Sequence, residues 1–180
     1  LEGAVTRKTK AVIPVHLNGR ACNMDKLMKA AKKYNLAVIE DAAQALGAKF
    51  NGKMAGSFGL TGCFSFYPAK MLGSLGDAGM IVTDSSRIAD KLYLLRDHGE
   101  KAGYLKKPGE KDKKDIELFG FNSILDNLQA AVLNVKFRHF KDWVKRRRRI
   151  ASLYHQGLSG IEEIKLPPPP EDNGAYFDVY

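Results

Sequence analysis

The feature that most constrains the fold is a series of short, continuously apolar stretches separated by helical or glycine-rich segments: "AVIPVHL" at 11–17, "LAVIED" at 36–41, "GCFSF" at 62–66 and "AGMIVT" at 78–83. Half-exposed strands alternate apolar and polar residues, whereas strands covered on both faces read as unbroken apolar runs. Between the first two, "MDKLMKAAKKYN" (24–35) sets Met24, Leu27, Met28 and Ala31 at the i, i+3, i+4, i+7 spacing of an amphipathic helix. After the fourth, "SSRIADKLYLLRDHG" has serines for the N-cap and Gly99 for the stop. Strand and helix in alternation predict an α/β fold, a mainly parallel sheet buried between flanking helices.

With 180 residues, 44% of them hydrophobic, the chain holds enough for one core, an ordinary domain being about 100–200 residues. "LEGAVTRKTK" reads as the tail of a helix leading into a strand, and "GAYFDVY" as a strand cut short, so the expectation is a piece of a larger fold. From about Ser123 to Tyr154 the periodicity through Leu125, Leu128, Val132, Val135 and Phe140 predicts a long connecting helix; "LPPPPEDNG" (166–174) is a rigid linker. The implied division is 1–122 for the α/β layer, 123–165 for the helical connection and 166–180 for the start of a smaller domain.

No run approaches the ~18 apolar residues of a membrane span, and no leader pattern is present. Cys22 and Cys63 are far apart, and His16, His98, His139 and His155 lie in separate segments, so neither a disulfide framework nor a metal site is signalled. A cytoplasmic protein is expected. The charge of +9 gathers in "KKPGEKDKKD" (106–115) and "KRRRR" (145–149). The first reads as a loop and the second as a solvated helix face, which favours a general attraction for phosphate-bearing substrates over nucleic-acid binding.

Ligands of open α/β sheets bind outside the carboxyl ends of the strands. Asp41 ends the second strand, His16 lies near the end of the first, and Lys70 follows the third, ahead of glycines at 73, 76 and 79. On spacing alone, Asp41 and Lys70 form either a salt bridge across a cleft or a catalytic pair. In the second case a desolvated lysine forms a Schiff base and the carboxylate keeps the pyridine nitrogen of pyridoxal phosphate (PLP) protonated. A dinucleotide site is excluded, because "GSLGDAG" has the wrong glycine spacing and precedes a strand instead of opening a helix.

"TKAVIPVHLNGR", "VIEDAAQALGAKFNGKMAGSFG", "GCFSFYPAKMLGSLGDAGMIVTD", "LRDHG" and "GFNSILDNLQAAVLNVK", in this order, resemble the DegT/DnrJ/EryC1/StrS family of PLP-dependent sugar aminotransferases over nearly the whole chain. The resemblance implies the core of a fold-type I large domain, truncated at both ends. Lys70 matches the lysine that holds the cofactor and shuttles protons, and Asp41 the carboxylate facing the ring nitrogen. Gln44 matches a residue near the phenolic oxygen, Ala43 one packed on the ring, and Ser65 a phosphate-binding hydroxyl. Asn122 resembles an asparagine that reaches the phosphate of a neighbouring subunit, which implies a homodimer with shared sites.

The implied reaction takes an amino group from an amino acid, usually glutamate, to a nucleotide-linked keto-sugar in amino-sugar biosynthesis, such as that of lipopolysaccharide or antibiotic sugars. A dehydratase branch of the family has histidine in place of the lysine, so Lys70 speaks for amine transfer. Met71 departs from the polar residue or proline that many relatives have after the lysine. The lysine-rich loop from Glu100 to Leu118 is a candidate substrate-adjacent segment. The family's Gly-Thr phosphate loop, ring-stacking aromatic residue and closing small domain have no counterpart here. A non-catalytic remnant or interaction module of the same fold is the alternative reading.

Overall fold

The computed structural model describes residues 1–100 and 116–167. Most of the lysine-rich loop and the tail after Pro167 lie outside the described residues. A four-stranded sheet runs β1 (Ala11–Val12), β2 (Ala37–Asp41), β5 (Thr61–Ser65), β6 (Gly79–Val82) in spatial order; β3 (Lys49–Phe50) and β4 (Lys53–Met54) form a separate hairpin. β1 pairs with β2 and β2 with β5 in parallel, whereas β6 lies antiparallel to β5.

Each departure from the regular pattern has a local cause. Pro14 has no N–H to donate, so β1 stops at Val12, and the pairing resumes in register at Val15 opposite Asp41. Between β5 and β6 no helix carries the chain back to the start of the sheet. Phe66 N–H instead bonds Ala78 O at 2.8 Å, and the chain folds back beside itself. The hairpin, which apolar periodicity misses, turns on Asn51 and Gly52, both at positive φ (48° and 78°), the signature of a type I′ turn.

Helix α1 (Met24–Lys33) starts where Asn23 accepts the Lys26 N–H at 3.1 Å, and α2 (Ser86–Arg96) where Ser85 accepts the Ile88 N–H at 3.4 Å. Gly99, at φ 79°, sends its N–H back to Leu94 O and closes α2. The single helix expected beyond Ser123 is two, α3 (Asn127–Phe137) and α4 (Phe140–Leu158), broken at Arg138–His139.

The expected burial of both sheet faces holds for one face only, and there as far as β5, because Met80 and Val82 of β6 on that side are exposed. Met24 and Ala31 of α1 pack with Val38, Ala42, Ala48 and Phe50 on one side. On the other, Ile13 is 61%, Val15 44% and Ile81 48% exposed among the described residues. A second cluster, Phe66, Leu72, Leu133 and Phe140, pins α3 and α4 against the loop that holds Lys70.

Candidate active site at the strand ends

Successive strand residues face opposite ways, and the register fixes which residues share a face. Val15, Asp41, Cys63 and Ile81 form one lateral row on the open face, with Ser65 two residues beyond Cys63 on the same side. Val38, Glu40, Gly62 and Phe64 face the core. Asp41 and Ser65 therefore stand together at the carboxyl ends of adjacent parallel strands. On the same row, burial and the charge of Asp41 hold the Cys63 thiol above its usual pKa.

Asp41 is half-buried and tightly placed. Its N–H donates to Pro14 O at 2.9 Å, its carbonyl accepts the His16 N–H at 3.0 Å, and its Oδ1 accepts the Ala43 N–H at 3.0 Å. Oδ2 has no hydrogen-bond partner among the described residues. Ala43 and Gln44 follow in the turn, where Gln44 Oε1 accepts the Asn18 N–H at 2.7 Å from the loop after β1.

Lys70, half-buried, lies in a tight loop after β5. Its N–H bonds Tyr67 O at 2.8 Å, and the Tyr67 N–H bonds Ser65 Oγ at 3.3 Å. Buried Ser74 ties the far side of the loop, its one hydroxyl proton placed between the Phe66 and Gly76 carbonyls. From α3, Lys136 Nζ donates to Gly73 O and Gln129 Nε2 to Asp77 O. Asn122 stands apart. It is exposed and pairs through its backbone with Asp97 at the end of α2.

Sequence reasoning passed over Glu40, the most heavily bonded side chain near the site. Fully buried, its Oε1 accepts N–H bonds from Phe58 (2.6 Å) and Gly59 (2.7 Å), while Oε2 accepts one from Gly56 (2.7 Å) and faces His16 Nε2 at 3.0 Å. Burial pushes the Glu40 carboxyl up, but the bonds from His16 and from Gly59, Gly56 and Phe58 outweigh it and hold the group below the usual carboxylate range. Burial also disfavours a charged His16 ring, and the Cys22 and Glu40 side chains lift it from 6.5 to about 9. The backbone opposes that lift. His16 Nδ1 accepts the Cys22 N–H at 3.1 Å, so a second ring proton would point into a donor, and in the neutral ring the hydrogen sits on Nε2, facing Glu40. The available signal was a glutamate inside a buried strand, since such a charge needs partners.

A carboxylate with one oxygen unpartnered among the described residues, a serine hydroxyl on the same face and a lysine in the loop that follows suit PLP, which presents a basic ring nitrogen, a phosphate and an aldehyde. The donor set fits that cofactor.

This sheet, with the candidate residues at its strand ends, is the α/β core of the fold-type I PLP-dependent aminotransferases. The chain belongs to the DegT/DnrJ/EryC1/StrS aminotransferase family, whose sequence pattern matches residues 1–180. It is 44% identical over 180 residues to the UDP-N-acetyl-3-dehydro-alpha-D-glucosamine 3-aminotransferase of Acidithiobacillus ferrooxidans, covering 100% of this chain and 45% of that protein. It is 46% identical over 181 residues to the dTDP-3-amino-3,6-dideoxy-alpha-D-galactopyranose transaminase of Aneurinibacillus thermoaerophilus, covering 100% and 47%. The crystal structure of a DegT DnrJ EryC1 StrS aminotransferase from Brucella abortus superposes with a TM-score of 0.79 at 38% identity, over 92% of this chain and 42% of that one. The chain thus spans about half the length of the curated relatives it matches. Among the described residues, no helix is long and apolar enough to cross a membrane.

Proposed function

We propose that the chain is the catalytic middle of a PLP-dependent aminotransferase that moves an amino group from an amino acid, glutamate first among candidates, to a nucleotide-linked keto-sugar. The observation that carries this reading is the shared face of Asp41 and Ser65 at adjacent strand ends, with Lys70 in the loop that follows. The names of the two relatives, transaminases of UDP- and dTDP-linked sugars, support the substrate class. The net charge of +9 suits a diphosphate.

When bound, PLP supplies an aldehyde for amine exchange and an electron-withdrawing ring. The Asp41 carboxylate would keep a proton on the ring nitrogen by accepting a charge-assisted hydrogen bond from it. Ala43 would pack against the ring, and Gln44, held through its Oε1 by the Asn18 N–H, would lie toward the phenolic oxygen. Ser65 Oγ accepts the Tyr67 N–H, which leaves its own hydroxyl proton to donate to the phosphate. Lys70 Nζ would be the anchoring amine and, once the donor's amine displaces it, the base that takes the proton from the donor's α-carbon and passes it to the cofactor. Exposed Asn122 serves the site of a second copy, in a homodimer. Residues 1–122 then belong to the cofactor-binding domain and 123–165 to the connection beyond it.

Borohydride reduction of the full-length protein with PLP, followed by peptide mapping, tests the assignment. The cofactor is expected on Lys70 and on no other lysine; label spread over surface lysines contradicts the reading. Sedimentation of the same sample should give a dimer, and a monomer that transfers amine removes the shared site.

A further inference from the structure

We propose that Glu40 and His16 are positioning residues for Asp41: a buried carboxylate and imidazole behind the sheet that fix the peptide from which Asp41 reaches the ligand face. This rests on the cofactor reading above. Glu40 and Asp41 are neighbours on β2 with opposite facing, so a displacement of the Glu40 carboxylate is transmitted through one peptide unit to the Asp41 carboxylate.

The pair ties β2 to the two segments beside Asp41, the 56–59 turn and the loop at 16–22. Glu40 gathers the 56–59 turn through three backbone N–H groups. His16 binds Glu40 through Nε2 and the Cys22 N–H through Nδ1, while its own backbone N–H holds Asp41 O. The loop so anchored includes Asn18, at φ 53°, whose N–H holds Gln44. Two candidate cofactor contacts, Asp41 and Gln44, thus depend on one buried pair that touches no ligand itself. A hydrophobic residue would fill the same space without the desolvation cost of a carboxylate. What it lacks is the ability to hold both loops in one arrangement.

The test compares full-length parent and Glu40→Gln proteins by titration with PLP, following the visible absorption band, with circular dichroism and melting of the cofactor-free proteins as controls. Whichever way the amide is turned, its NH2 group faces N–H donors. The expected result is a folded variant whose PLP dissociation constant rises on the order of tenfold or more, the scale seen when residues that orient metal ligands are removed. A lower melting temperature with unchanged PLP affinity and band is what a purely structural pair would give, and it overturns the inference while leaving the cofactor reading intact. No band in the parent overturns both. If Glu40→Gln does not fold, His16→Gln keeps a donor for Glu40 and loses only the acceptor for Cys22, and the same titration decides: weakened PLP binding supports the inference, unchanged binding refutes it.

Discussion

Glu40 shows at the scale of one residue how environment decides charge. Four donors surround its two oxygens, and the carboxyl is held low despite full burial. A carboxyl with a lowered folded pKa contributes stability that is complete above its unfolded value of about 4.5 and is lost as pH falls through the folded value. The melting temperature of the parent should therefore fall on acidification faster than that of Glu40→Gln, the two curves converging at low pH. A constant gap down to acid would mean that Glu40 is not ionised in the fold. At neutral pH, removing one partner of this buried pair should cost about 3–5 kcal/mol in chemical denaturation. The positions of Asp41 at a strand end and of Lys70 in the loop after β5 were legible in the sequence, because apolar strands end visibly. Glu40 was hidden, since "ED" gives no sign of which carboxylate faces the core; only the register separates them.

At the scale of elements, the apolar runs marked the strands and the amphipathic spacing marked α1. Strand direction was not legible for β6, because it depends on the loop before it folding back rather than forming a helix. The break between α3 and α4 was also hidden, as the apolar period continues across Arg138 and His139. β5 has a stricter requirement. A Cβ on Gly62 would lie 1.9 Å from Gly56 O, on backbone that is itself held by Glu40. Gly62→Ala must push that turn away, and overpacking of this kind costs about 1–3 kcal/mol or more. Urea unfolding that places Gly62→Ala within error of the parent would show that the turn is free to move, against the account of a locked 56–59 segment.

At the scale of the molecule, one sheet face is packed and the other, with Ile13, Val15 and Ile81, is open beside the candidate site. The five sequence blocks made the α/β core and its family readable, because they preserve the spacing from strand end to strand end. Coverage of the open face was not readable, since continuous apolarity says that a strand is buried without saying by what. The central claim is amine transfer by Lys70 on that face. Its most direct measurement is the absorbance of full-length protein with PLP as glutamate is added, set beside Lys70→Ala. The account predicts a visible band that glutamate bleaches in the parent, restored by a nucleotide-linked keto-sugar, with neither change in Lys70→Ala. A parent band indifferent to glutamate and every other amino donor, or a variant that bleaches as fast as the parent, would contradict it.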